Sequence, residues 1–425
     1  MKIEELHRIF LNTNGVVTDT RKIEKNTIFF ALKGANFNGN QFAKDALDKG
    51  ADYAVIDEKE FQISEKTILV EDVLKSLQQL ANHHRSFLKL PIISLTGSNG
   101  KTTTKELINA VLSKKFNTVA TKGNLNNHIG VPLTLLSMDK STEIGIVEMG
   151  ANHLKEIESL CKITHPDFGY ITNFGKAHLE GFGNIEGVIQ GKSELYDHLI
   201  SNNKTIFYNS DDPIQTEKLK NYEKKFGFST TNNGDVEIHL DKTAPFVCIT
   251  AQGASINSRL IGSYNFTNIA AAVAIGLYFN IPMTKIKEAI RDYTPTNNRS
   301  QILNTEKHKI VMDAYNANPS SMKVALENFK AMNGDNKVII LGDMFELGSE
   351  SEKEHQNIAE LAIAMNFEKV LLIGENFYRT KTSASKFNSF EELKNYLVKN
   401  PLPNDSAILI KGSRGMALER VLDCL

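Results

Sequence analysis

The sequence predicts an α/β protein of three domains. Three observations carry this. The chain has 425 residues, and a domain takes roughly 150. Short apolar runs alternate with helical stretches, the pattern of parallel sheets joined by crossover helices. A glycine-rich turn stands between a buried strand and a helix, so one of those sheets is built around an anion site.

The first domain is expected over 1–90. Thr27–Leu32 reads as a strand, Lys33–Asn40 as a Gly/Asn-rich loop, and Phe42–Lys49 as a helix ended by Gly50. Ala54–Ile56 and Thr67–Val70 read as short strands. Val73, Leu74, Leu77 and Leu80 give Val73–Phe87 helical spacing, and Pro91 closes the unit. The central domain, 91–299, opens with the strand Ile92–Leu95, the glycine turn and a helix from Lys101 to about Lys114. Ile144–Glu148 and Phe168–Thr172 are further strands of a parallel sheet resembling P-loop ATPases. Between Thr205 and Arg259 short runs rich in Asn, Asp and Lys suggest an antiparallel addition, and Asn268–Asn280 is an apolar, Ala-rich helix. The last domain, 300–425, carries apolar runs at Lys309–Asp313, Lys337–Leu341, Val370–Ile373 and Ala407–Ile410, spaced by helices, as in a doubly wound Rossmann-like unit.

Composition excludes several classes. Hydrophobic residues are 41% and charged residues 23%, which are globular proportions. With 49 basic and 50 acidic residues, the net charge of -1 removes the electrostatic case for nucleic-acid binding. Cys161, Cys248 and Cys424 are odd in number and far apart, so neither a disulfide framework nor a zinc ribbon is indicated and a reducing cytoplasm fits. The longest apolar run, Ile269–Phe279, falls short of the roughly 20 residues that span a bilayer. Met1–Glu5 carries acids and no apolar stretch, unlike a secretory signal.

The sharpest motif is Thr96-Gly97-Ser98-Asn99-Gly100-Lys101-Thr102-Thr103-Thr104. Gly97 and Gly100 let backbone N–H groups close around phosphate oxygens, and the helix from Lys101 aims its positive end at the same anion. Lys101 would reach the β- and γ-phosphates, and the hydroxyl of Thr102 or Thr103 a magnesium ion. The general phosphate-loop pattern has Gly where this chain has Leu95. Glu148 ends a strand beside this loop, where a carboxylate can hold magnesium directly or through water. His178, after Asn173-Phe174-Gly175-Lys176-Ala177, reads as a metal ligand, a phosphate-site donor or a solvated loop residue. Lys192 reads either as a solvated helix lysine or as one desolvated beside metals and chemically altered. The loop Asn124–Pro132 offers several amides to a sugar, peptide or pyrophosphate, or is simple turn chemistry.

Together these residues resemble the Mur ligase family, ATP-dependent amide-forming ligases of bacterial cell-wall synthesis, over nearly the whole chain. The resemblance implies an ATP site of Gly97, Ser98, Asn99, Gly100, Lys101, Thr102, Thr103, Asn268, Arg299, Asp313 and Tyr315. It implies catalysis by Lys101, Glu148, His178 and Lys192, and two magnesium ions held by Thr102, Glu148, His178 and a carbamylated Lys192. In Gly262-Ser263-Tyr264-Asn265-Phe266-Thr267-Asn268, Tyr264 stands where the family has His. Within the family, Asp19-Thr20-Arg21, Asn124–Pro132, Asp313–Met322, Leu341–Gly348 and Lys411–Met416 resemble the member that adds D-alanyl-D-alanine to a UDP-N-acetylmuramoyl-tripeptide. That likeness makes 1–90 a uridine-nucleotide domain. It implies substrate contacts at Thr20, Arg21, Asn127, Asn173, Asn316, Asn318, Lys411 and Arg414, and a cytoplasmic monomer with no membrane span. The Asp-Asn-Pro-Arg-type motif of the sister ligase for diaminopimelate or lysine is absent. Competing readings are another Mur-type or folylpolyglutamate-type ligase, an ATPase that drives motion without an amine acceptor, and a non-catalytic binding protein.

Overall fold

The computed structural model describes every residue except Asn232, Asn297 and Asp335. Its backbone forms three larger sheets in succession along the chain.

In the first sheet, Val16–Val17, Ile28–Phe30, Tyr53–Ile56 and Thr67–Leu69 lie side by side, all parallel. Ile28, Phe29 and Phe30 are all buried, which explains an unbroken apolar run rather than alternation. The Gly/Asn-rich loop folds into a small hairpin, Lys33–Gly34 against Phe37–Asn38. Helix Val73–Leu88 starts at Asp72, whose carboxylate accepts from Lys75 N at 2.7 Å, and ends at Lys89 in the left-handed region. Its Leu77, Leu80 and Ala81 belong to one apolar core that continues beneath the central sheet. This segment is thereby packed on the next, not merely tethered to it.

The central sheet has nine strands. Its order is Ala254–Asn257, Cys248–Ala251, Val236–Lys242, Lys225–Ser229, Thr205–Asn209, Phe168–Ile171, Ile92–Thr96, Ile144–Glu148 and Thr118–Ala120. The antiparallel addition expected over 205–259 is confined to its end. Thr205–Asn209, Lys225–Ser229 and Val236–Lys242 continue the parallel sheet, and among the described residues the antiparallel pairings are those Cys248–Ala251 makes with Val236–Lys242 and with Ala254–Asn257. Burial is the reason: Ile206 and Phe207 are covered, with helix Ile185–Ser201 on one side and helix Asn265–Tyr278 on the other. The Asn, Asp and Lys residues that suggested exposed hairpins occupy the connections.

The third sheet has the order Gln301–Asn304, His308–Asp313, Ser406–Lys411, Val338–Gly342, Lys369–Ile373 and Ser385–Phe387, parallel except for its first strand. Separate apolar clusters cover its two faces, as a doubly wound unit requires. Among the described residues no helix is long and apolar enough to cross a membrane.

Where the first segment meets the second, two buried histidines share a hydrogen-bond chain. His84 Nε2 donates to Met138 O at 2.9 Å, which leaves His84 Nδ1 to accept from His7 Nε2 at 3.0 Å. Burial, with His84 and His83 close by, pushes His7 down to about 4 and burial also lowers His84. Unfolded, both titrate near 6.5, so the unfolded chain takes up more protons as pH falls and stability is lost between about 6.5 and 4. The melting temperature is therefore predicted to drop from pH 7.5 to pH 5. His7→Gln, which keeps a donor for His84 without titrating, should shrink the drop. An equal drop in both proteins would contradict this.

Candidate active site

The strand Ile92–Thr96 lies between Phe168–Ile171 and Ile144–Glu148. Its neighbours lead away in opposite directions, so a crevice opens beyond its carboxyl end. The phosphate loop occupies that place. Gly97 and Gly100 have φ of +138° and +80°, and a Cβ on Gly97 would collide with Thr172 Oγ1. Helix Lys101–Leu112 follows directly. The loop is braced from the next strand end: Ser98 N donates to Asn173 O and Asn99 N to Asn173 Oδ1, both at 3.1 Å. Thr172 Oγ1 and Asn173 Nδ2 donate to Asn99 O, at 2.6 and 3.0 Å. Lys101 Nζ rests on Gly97 O at 2.6 Å, and burial lowers it to about 8.

Glu148 is 1% exposed and fully engaged. Thr102 Oγ1 donates to Oε2 at 2.9 Å and Asn126 Nδ2 to Oε1 at 2.8 Å. Its backbone N–H donates to Thr121 Oγ1 at 2.9 Å, and the carbonyl of Thr121 accepts from buried Lys105 Nζ at 2.7 Å. Sequence reasoning missed Asn126, Thr121 and Lys105. The signal available for Asn126 was its place in the amide-rich loop; Lys105 and Thr121 had none, because their tie to Glu148 exists only in three dimensions. Asn127 turns out to brace the turn that leads into helix Gly130–Leu136, its Oδ1 accepting from Gly130 N at 2.9 Å.

Residues of the third segment complete the crevice. Asp313 and Lys411 are in register as the last residues of neighbouring parallel strands. Their side chains pair at 2.7 Å, and Ser300 N donates to Asp313 Oδ1 at 3.1 Å. The Arg299 guanidinium stands 3.7 Å from the Tyr315 ring centre and that of Arg414 4.9 Å. Buried Arg299 Nε has no hydrogen-bond partner among the described residues, so it is a donor left unsatisfied. Tyr264, in the place of the family's His, bonds Ser300 Oγ, and burial raises its hydroxyl. Asn268 Oδ1 accepts from Thr104 Oγ1 at 3.0 Å and lies 2.5 Å from where a Gly100 Cβ would be, closing the back of the loop.

The two segments touch at the site itself. Asn318 Nδ2 donates to Asn99 Oδ1 at 2.8 Å, Lys176 Nζ meets Glu354 at 2.9 Å, and His178 Nδ1 pairs closely with Glu346 Oε2. Glu346 lies in the signature Leu341–Gly348, to which the sequence assigned no individual role. One cleft of about 1130 Å³ joins these parts, and Ser98 to Thr103, Asn127, Glu148, Asn173, His178, Asn268, Arg299, Asp313, Tyr315, Asn316, Asn318 and Lys411 all line it.

The remaining expected residues lie elsewhere. Lys192 is wholly buried behind the wall, donating to the carbonyl of cleft residue Ala151 at 2.9 Å, and burial holds it well below its ordinary range. Thr20 and Arg21 form a short turn on the first segment, with the Arg21 side chain 85% exposed and paired to Asp19, off the cleft. Among the described residues no three His, Cys, Asp or Glu side chains are grouped to hold a metal ion. Thr102 and Glu148 are in contact, but His178 is engaged by Glu346 and Lys192 by Ala151.

A phosphate loop at the switch point of one α/β sheet, with the strand ends of a second α/β sheet facing it, defines a three-sheet nucleotide-binding protein. Matches to known proteins agree along the whole length. Residues 95–276 match the Mur ligase middle domain, 298–414 the Mur ligase glutamate ligase domain, and 12–85 the Mur ligase family catalytic domain. The chain is 33% identical to the UDP-N-acetylmuramoyl-tripeptide–D-alanyl-D-alanine ligase of Bacillus subtilis, covering 96% of this chain and 92% of that one. It is 31% identical to the enzyme of that name from Escherichia coli, covering 99% and 95%. Among solved structures, a MurF of Acinetobacter baumannii superposes with TM-score 0.85 at 29% identity, over 98% of this chain and 97% of that one. The MurF ligase of Thermotoga maritima in complex with ADP gives 0.84 at 26% identity, over 97% of each. The chain belongs to the Mur ligase family.

Proposed function

We propose that this chain is the ATP-dependent ligase that joins D-alanyl-D-alanine to UDP-N-acetylmuramoyl-tripeptide in peptidoglycan precursor synthesis. The observation that carries this is the single cleft holding the phosphate loop, Glu148, Arg299 and the third-segment residues Asp313, Tyr315 and Lys411. Its volume of about 1130 Å³ suits a nucleotide beside a second substrate. The names of the full-length relatives supply the identity of that substrate and of the amine.

In this reading 1–90 takes the UDP end, with Thr20 and Arg21 among its contacts, 91–299 takes ATP, and 300–425 closes over the nucleotide. In this reading the chain works as a cytoplasmic monomer. Backbone N–H groups of the loop and the helix beginning at Lys101 hold the phosphates. Lys101 and Arg299 offset the charge that builds on the transferring γ-phosphoryl group. A tripeptide carboxylate oxygen attacks the γ-phosphorus and ADP leaves, giving an acyl phosphate. The amine of D-alanyl-D-alanine attacks the acyl carbon, an amide forms, and phosphate leaves with the oxygen the carboxylate supplied. In this reading Asn173, Asn316, Asn318 and Lys411 orient the acceptor, Asn127 holds the loop beside it, and Arg414 acts through Tyr315.

The contact of Thr102 Oγ1 with Glu148 Oε2 is a pair of hard oxygen donors that fits magnesium. Magnesium held there by Thr102 and Glu148 would supply positive charge to the bound phosphates. A second ion would fall to His178 and to Lys192 as its carbamate. Burial lowers the Lys192 amine and so favours its neutral form, the one that adds carbon dioxide with loss of a proton and so gains two oxygen donors.

Phosphate release from ATP and magnesium is predicted to require both the UDP-linked tripeptide and D-alanyl-D-alanine, with the joined pentapeptide product seen by mass spectrometry. Release without the dipeptide would support the ATPase reading, and activity with a single amino acid instead would support the sister ligase. Lys105→Met, which removes the brace behind Glu148, is predicted to raise the magnesium needed for half-maximal rate by about tenfold. The KM for D-alanyl-D-alanine should stay unchanged. A lower melting temperature with no change in magnesium dependence would refute the positioning role.

A further inference from the structure

We propose that the chain carries a second anion site, which takes a multiply charged phosphate compound in a basic cleft at the far end of the central sheet. The cleft has a volume of about 790 Å³ and is formed where Ile92–Thr96, Phe168–Ile171, Thr205–Asn209 and Lys225–Ser229 begin. The phosphate loop stands at the other end of the same strands. A five-residue strand such as Ile92–Thr96 spans about 16 Å. The two sites are therefore separate and can be filled together.

Charge is the first argument. Five of the twelve lining residues are Arg or Lys, against 49 in 425 for the chain, and one is acidic. That one, Asp167, is shared by Arg85 and Lys204, each at 2.7 Å. Lys224 and Lys225 donate to the carbonyls of Asn203 and Leu219, at 3.2 and 2.5 Å, which leaves their charge unmatched. With Lys89 this makes three ammonium groups and a single carboxylate already in use. On a chain of net charge -1, such a surplus in a concavity focuses a positive potential.

Construction is the second. Arg85 is not a loose surface residue: its side chain is only 10% exposed, and Thr164 O and His165 O accept from it at 3.1 Å. Phe168 and Tyr278, with ring centres 5.7 Å apart, add an aromatic wall. A compact monovalent anion would answer one of these cations; a di- or triphosphate group answers several at once. Arg85 and Lys89 come from the helix that leaves the first segment, whereas Lys204, Lys224 and Lys225 belong to the central sheet. A bound anion would tie the two together.

Inorganic tripolyphosphate is the probe, titrated calorimetrically into the full chain, into Lys101→Ala and into the double variant Lys89→Glu, Lys224→Glu. The unaltered chain is expected to bind two equivalents and Lys101→Ala one. The double variant should weaken the loop-independent equivalent by at least about tenfold, and added salt should weaken it in the unaltered chain. Loss of all binding in Lys101→Ala, or a loop-independent equivalent that the double variant leaves unchanged, would overturn the site. Lys89 and Lys224 are exposed. Their melting temperature is checked first, and Lys224→Glu alone decides the matter if the double variant melts early.

Discussion

A carboxylate with 1% exposure cannot be left unmatched, and Glu148 sets the terms for the ground around it. Leaving a buried acceptor without its hydrogen-bond partner costs about 1–3 kcal/mol. Its two oxygens are taken by Thr102, from the helix after the phosphate loop, and by Asn126, from the amide-rich loop. Its backbone is tied through Thr121 to Lys105 on the same helix as Thr102. One charge thus holds a strand end, a helix start and a loop in a single arrangement. The phosphate loop inherits its position from that arrangement and from Asn173 on its other side.

The second constraint is topological. Ligand sites in open parallel sheets form at strand carboxyl ends, and here two sheets present those ends to one cleft. Asp313 and Lys411 face each other because their strands are parallel neighbours in register. Asn318, Glu346 and Glu354 then reach across to Asn99, His178 and Lys176. The third segment touches the phosphate loop itself, so movement of that segment alters the site that binds ATP.

The phosphate loop was legible because its glycines, lysine and hydroxyls are adjacent in sequence and must lie between a strand and a helix. The same holds for the doubly wound third segment, whose apolar strands are bounded by helical spacing. The parallel continuation at Thr205–Lys242 was not legible, because its polar connections resemble those of exposed hairpins and only the helices on both faces reveal its burial. Lys192 reads in sequence as either solvated or altered; its complete burial removes the solvated reading. Lys105 and Thr121 carry no motif, since an inward lysine on an amphipathic helix looks like an outward one until the partner carbonyl is in view. Asp313 and Lys411 were each legible as polar strand ends, but their pairing with each other was not.

The central claim is that this cleft activates a carboxylate by moving a phosphoryl group onto it. The most direct test uses UDP-N-acetylmuramoyl-tripeptide labelled with oxygen-18 in its terminal carboxylate, with ATP, magnesium and D-alanyl-D-alanine. The account predicts one labelled oxygen in each phosphate released. Unlabelled phosphate would mean that water, not the carboxylate, attacks ATP, and would contradict it.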